Sequence, residues 1–220
     1  MADISPIDSG PPSADLVVRE PRQRRTREQW DRILDAGVRL LEEDGYAGFT
    51  IAALCERAAV PPRALYARAA TKDALFLAVY ERGMSRVSAG HTVFTEQDRW
   101  NLDDDRRRVE QAVRYLVKIF IDNAALLRAV VLISGAHPEV RRRGEAYRNT
   151  IMELFTAVLA PLDANPQHES PIRERQFCFS LVFSTMVLRT AYGPGFGPGG
   201  DTESLTRDLV TMAQRYLSPP

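Results

Sequence analysis

"AAVPPRALYARAATK", Ala58 to Lys72, sets two prolines side by side between two stretches that otherwise read as helix. Neither Pro61 nor Pro62 has a backbone N–H, and the fixed φ of proline suits the first helical position. The pair ends one helix and sets the start of the next, with Val60 as the apolar pin between them. Two short helices meeting at a steep angle make a helix-turn-helix. The second helix of such a unit enters the DNA major groove with its first-turn side chains leading. That explains why this one is short and rich in alanine, since bulk would hold the backbone off the DNA. Arg63 and Arg68 are long donors for phosphates or a guanine edge. Tyr66 offers a phenolic donor to a phosphate oxygen.

Plainer readings stand beside these. Tyr66 also suits a core position with a satisfied hydroxyl, although Leu65 is the better core candidate. Arg63 and Arg68 also suit solvated surface. Local charge favours the DNA reading. No acid falls between Glu56 and Asp73, whereas Arg57, Arg63, Arg68 and Lys72 are basic. The whole chain carries 29 basic and 29 acidic residues, so this is a local excess in a neutral protein. Phosphate binding needs such an excess.

Working outward, Thr26 and Gln29 have capping-box spacing. Trp30, Ile33, Leu34, Val38 and Leu41 then form one apolar helical stripe, and Gly45 stops it. Thr50 caps the helix before the prolines, with Ile51, Leu54 and Cys55 inward. Thr71 caps the helix after the turn, whose apolar face is Leu75, Phe76, Val79 and Tyr80. Upstream, residues 1–18 read as disordered. "REPRQRRTR", Arg19 to Arg27, reads either as a solvated charge run or as an arm that touches a polyanion.

Downstream, "HTVFTEQDRWNLDDD" reads as a connection or a frayed helix end. Five helices follow: one through Val109 to Phe120, then Asn123 to Ser134, Pro138 to about Leu162, Ile172 to Tyr192 and Thr202 to Leu217. "DANPQHE" and "GPGFGPGG" are breakers. The expected fold is all-α, about nine helices, with a three-helix helix-turn-helix domain opening the chain. The expected boundaries are 1–24 for the arm, 25–87 for the DNA-binding domain and 88–220 for a larger helical domain.

Composition excludes several function classes. Cys55 and Cys178 are far apart and read as buried free thiols. There is no CxxC motif, and His91, His137 and His168 are isolated, so neither a metal nor another cofactor is expected. No Ser/His/Asp or Cys/His arrangement and no phosphate loop in strand–helix context supports an enzyme. The start lacks the apolar region of a signal peptide, and the apolar runs are too short to span a membrane. A cytoplasmic protein without a membrane partner is expected.

At this point the residues resemble a known family. "ILDAGVRLLEEDGYAGFT", "LCERAAV" and "LYARAATKDALFLAV" are similar, in order and in gaps, to the DNA-binding domain of TetR-family transcriptional regulators. Three positions depart from the family pattern. Ala59 stands where glycine is usual, Pro61 where serine is frequent and Ala69 where phenylalanine is frequent. Ala59 implies either a right-handed turn residue or local strain.

Carried over by position, the resemblance places Thr50 and Ala52 near the DNA backbone. It puts Pro62, Arg63, Ala64, Tyr66, Ala67 and Arg68 on the recognition helix, and Lys72 on a phosphate. Arg63 is the candidate for base readout and Ala64 for a thymine methyl. Arg22 to Arg27 would add phosphate or minor-groove contacts. The resemblance also implies a homodimer on a pseudo-palindromic double-stranded DNA operator. The helix Ile172–Tyr192, apolar nearly all round, supports self-association, and its alternative is burial inside a monomer. The interface candidates are Phe183, Val187, Leu205, Leu209, Met212 and Tyr216.

A small-molecule effector would bind among the middle helices. The lining candidates are Trp100, Tyr115, Phe120, Leu127, Ile133, Tyr147, Met152, Phe155 and Phe179, each of which also suits plain core. Carboxylates do not cluster among them, which favours an apolar or weakly polar effector. The expected function is a ligand-released repressor. The alternative is an adaptor of the same fold that binds a protein partner.

Overall fold

The prolines, caps and apolar stripes produce the expected segments in the expected order. A computed structural model describes residues 24–102, 104–164, 170–196 and 200–217. Among these residues there are ten α-helices and no β-strand. The first is α1 (Arg24–Gly48), whose stripe of Trp30, Ile33, Leu34, Val38 and Leu41 is buried throughout. Gly45, at φ 64° and ψ −167°, breaks its regular helix where the sequence places the stop. Thr26 lies inside α1 instead of capping it. The helix-favouring run of Arg, Glu and Gln carries the helix back to Arg24, which pairs with Glu28 one turn on at 3.4 Å. Most of the basic arm, residues 1–23, lies outside the described residues, as do 165–169 and 197–199 with His168.

The helices α2 (Ile51–Ala58), α3 (Pro62–Tyr66) and α4 (Lys72–Ala89) complete the N-terminal unit. Thr50 Oγ1 accepts from the Ala53 N–H at 3.1 Å, and Thr71 Oγ1 from the Ala74 N–H at 3.0 Å. Both satisfy donors that a helix start leaves open. Pro61 supplies no side-chain cap to α3. The α1–α4 crossing is close. A Cβ on Gly37 would stand 2.4 Å from Val79 Cγ2, and a β-branched valine cannot easily turn away.

Ala59 resolves the choice left by the sequence. It is left-handed, at φ 52° and ψ 51°. Its N–H donates to the Glu56 carbonyl at 3.2 Å, and the Val60 N–H to the Cys55 carbonyl at 3.0 Å. This is a Schellman closure with alanine where glycine is favoured. A left-handed alanine costs about 1–2 kcal/mol. Part of that is offset because glycine loses more chain entropy on folding. Ala59→Gly is expected to stabilise the fold by about 0.5–1 kcal/mol in urea unfolding. A loss of stability on this substitution would contradict the strain.

The second unit begins with a 3₁₀ turn over Gly90–Phe94 and the four-residue α5 (Gln97–Trp100), the tenth helix that the sequence leaves as a connection. The Trp100 Nε1–H donates to the Val93 carbonyl at 2.8 Å, and its ring stacks on Phe94 at 5.8 Å. Then come α6 (Asp105–Asp122), α7 (Ala124–Ser134), α8 (Pro138–Val158), α9 (Pro171–Tyr192) and α10 (Thr202–Leu217). Asp104 caps α6 through the Arg106 and Arg107 N–H groups at 2.9 and 3.3 Å. The α8 helix stops at Val158, short of Leu162, and a 3₁₀ turn follows over Ala160–Ala164. Pro161 cannot extend an α-helix, because its ring meets the carbonyl four residues back.

The central element is α9, with Cys178, Phe179, Val182 and Met186 buried and α6, α7, α8 and α10 around it. Burial pushes the Cys178 thiol up to about 12, which keeps it a packing group and not a thiolate. Cys55 is half-buried, less enclosed than expected. The two units meet where α1 lies along α7 and where α4 reaches α7 and α8. Among the described residues, no helix is long and apolar enough to cross a membrane. Also among them, no group of three His, Cys, Asp or Glu side chains could hold a metal ion.

Candidate nucleic-acid interface

The proline turn fixes which face of α3 is outside. Leu65 is fully buried while Tyr66, the next residue, is 53% exposed. The hydroxyl of Tyr66 is therefore at the surface and not in the core. Pro62, Arg63 and Ala67 are exposed with it, and so are Thr50, Ala52 and Lys72. Arg63 forms no ion pair among the described residues, so its guanidinium is available to an outside partner.

Three side chains fit their expected roles less well. Ala64 is half-buried and packs against the core. Arg68 is half-buried. Arg57, counted in the local cation excess, pairs with Glu43 at 2.6 Å. Lys72 keeps its charge at the surface, with Nζ 5.2 Å from the centre of the Tyr46 ring. Sequence reasoning missed Tyr46, because nothing in the spacing of residues 46 and 72 brings them together.

Behind Lys72, α4 is clamped from both units. The Phe76 ring lies 4.7 Å from Tyr46, 5.6 Å from Phe49 and 5.5 Å from His137. His137 starts α8: its Nδ1 accepts from the Val140 N–H at 3.4 Å, and its Nε2 stands 3.9 Å from Asp73. Arg82 ties α4 to Asp35 of α1 at 2.9 Å. On the other side Arg143 of α8 bonds both Glu81 of α4 and Glu139.

Glu139 also accepts from Arg142 at 2.7 Å. Arg142, and then Arg143, hold its carboxyl down to about 2, against burial that raises it. A carboxyl lowered on folding stabilises the protein above its unfolded value, here 4.5. That contribution is lost as pH falls through about 2. Glu139→Gln is expected to cost about 1 kcal/mol at pH 7 after allowance for solvent screening. The difference from the parent should shrink between pH 4.5 and pH 2 in urea titrations. A difference independent of pH over that range would contradict the ion-pair account.

A cavity of about 230 Å³ opens between α4, α6, α7, α8 and α9. Of the nine residues expected to line a ligand site, Phe120, Leu127 and Tyr147 do so. The other walls include Tyr80 and Met84 of α4, Val130 of α7 and Gly144 of α8. Trp100 and Tyr115 instead form a separate aromatic corner, rings 5.9 Å apart, where the Tyr115 hydroxyl accepts from Arg99 at 2.7 Å. Ile133 faces a groove against α1. Phe155 and Phe179 fill the core with rings 5.6 Å apart, and Met152 packs against it. Apolar residues at helical spacing line a cavity or fill a core with the same pattern.

The expected interface residues divide similarly. Phe183 and Val187 line the cavity. Leu205 and Leu209 are buried within the protomer, on the helix that packs against α6, and Met212 is half-buried. Only Tyr216 is exposed, its ring 5.7 Å from Phe177. A different stripe of α9 faces outward: Phe177, Leu181, Leu188 and Tyr192. A helix apolar on every side does not declare which side is inward.

Residues 33–79 match the model of the bacterial regulatory proteins of the tetR family. No curated protein matches the chain by sequence. Its fold is similar to that of several solved structures. A TetR-like transcriptional regulator from Rhodococcus sp. RHA1 aligns at TM-score 0.64 and 15% identity, over 92% of this chain and 100% of that one. GusR of Salmonella enterica aligns at 0.62 and 17%, over 87% and 96%. A TetR transcription regulator from Haloarcula marismortui aligns at 0.61 and 16%, over 86% and 96%. Residues 33–79 thus match the tetR family model, and the fold across most of the chain is similar to that of TetR-like solved structures.

Proposed function

We propose that this protein is a TetR-family transcriptional regulator, a repressor that leaves a pseudo-palindromic operator when a small molecule fills the cavity. One observation carries the reading: α4 serves both ends. Its first residue, Lys72, stands beside the recognition helix, while Tyr80 and Met84, further along the same helix, wall the cavity. The span from Lys72 to Tyr80 is about 12 Å of rigid helix. A ligand that binds one conformer better shifts the population, and tilting α4 would move α3 relative to its half-site.

Two protomers would join through the exposed apolar stripe of α9 with Tyr216 of α10, giving a two-fold, self-complementary interface. Arg63 would read bases, and Tyr66, Thr50 and Lys72 would hold phosphates. The effector cavity is lined mainly by hydrocarbon, which suits a ligand with an apolar body.

Selection from random-sequence DNA tests the reading. It should enrich a motif of two inverted half-sites. Failure to enrich any motif would favour the adaptor alternative. Leu181→Glu together with Leu188→Glu is expected to give a monomer in sedimentation and to lower operator affinity at least about a hundredfold, as one half-site is lost. A double variant that remained dimeric would move the interface elsewhere.

A further inference from the structure

We propose that the cavity takes a monoanion, an apolar body of about eight to ten carbons carrying one carboxylate, with Arg148 receiving the charge. The inference deepens the effector reading above and rests on it. Size comes first. A dry cavity of about 150 Å³ holds benzene, so 230 Å³ holds a body about half as large again.

Polarity comes next. The neutral polar groups of the wall already have partners. The Tyr147 hydroxyl and His91 Nε2 are 2.9 Å apart, and the Ser134 hydroxyl donates to the Val131 carbonyl at 2.7 Å. Burial lowers the pKa of His91, so its imidazole stays neutral near pH 7.

Charge decides the class. Arg148 lines the cavity and is half-buried, yet no carboxylate pairs with it among the described residues. Its guanidinium donates to Ser180 Oγ at 2.8 Å and to Asn149 Oδ1 at 3.4 Å, and lies 5.6 Å from the centre of the Phe179 ring. All three neighbours are neutral. Ser180 and the ring hold the planar group in place, and the remaining N–H donors suit a carboxylate. Two further charges, Arg141 and Glu145, sit exposed at the rim and offset each other. The local balance therefore favours an anion and disfavours a cation.

Calorimetric titration of the full-length protein with octanoate, octanamide and octylammonium tests this at pH 7. Octanoate should bind at least about tenfold more tightly than octanamide, as a charge-assisted bond to a guanidinium allows, and octylammonium weakest. Arg148→Met should bring octanoate down to the level of octanamide, while Arg148→Lys retains part of the preference. Arg141→Met should change the ratio less than threefold.

Equal affinity for octanoate and octanamide in the parent would overturn the inference, as would a ratio unchanged in both Arg148 variants. Absence of binding by all three would overturn it together with the cavity's role. Octanoate binding that leaves the protein on DNA would overturn ligand release while preserving the anion preference.

Discussion

Arg63→Ala should lower affinity for the selected operator by about ten- to a hundredfold and relax base preference at one position of each half-site. Those are the effects expected when a side chain on a base edge is removed. Arg63 is exposed at the first turn of α3 and has no ion pair among the described residues, so its loss costs the fold little. Lys72→Ala should behave differently. A phosphate contact carries no sequence information, so binding weakens equally on all duplexes and the salt slope falls by about one. Competition binding on operator and single-base variants, repeated over a salt series, separates the two patterns. If Arg63→Ala weakened operator and scrambled duplex alike, Arg63 would be a phosphate ligand and base readout would belong to another residue.

Phe76→Ala should cost about 3–5 kcal/mol, the range for deleting a buried aromatic ring. Phe76 is fully buried and touches three rings from three places: Tyr46 near the end of α1, Phe49 just after it, and His137 at the start of α8. It fills the junction between the units as well as the core of one of them. Phe76→Leu keeps much of the volume and should cost less, about 1–2 kcal/mol. In that variant the operator should still bind, but saturating effector should release less of it, because α8 would no longer press on α4 through a flat ring. Urea unfolding reads the first effect and effector titration of the DNA complex reads the second. A Phe76→Leu protein with unchanged release would remove this contact from the coupling.

The N-terminal half of the fold was legible because its signals are local. Pro61 and Pro62, the caps Thr50 and Thr71, and the stop at Gly45 each act within one turn of the residue that carries them. The burial of Leu65 against the exposure of Tyr66 followed from the same spacing. The left-handed form of Ala59 did not, since alanine tolerates both alternatives and the closing bonds to Glu56 and Cys55 decide.

The C-terminal half was legible as helices but not as sites. Phe155 and Phe120 each sit on the inward stripe of a helix, yet one is enclosed by core alone and the other also walls the cavity. On α9 the choice between Phe183 and Leu181 for the outer face depends on where α6, α8 and α10 pack, and no residue of α9 encodes that by itself. Contacts such as Lys72 with Tyr46, or His137 with Phe76, join residues far apart in sequence and leave no periodic trace.

Sequence-specific DNA binding is tested most directly by fluorescence anisotropy of the full-length protein on its selected motif and on a scrambled duplex of equal composition, at low and at physiological salt. Binding to the motif should be at least about a thousandfold tighter than to the scramble, with affinity for both falling as salt rises. Equal, weak binding to the two duplexes at both salts would contradict it.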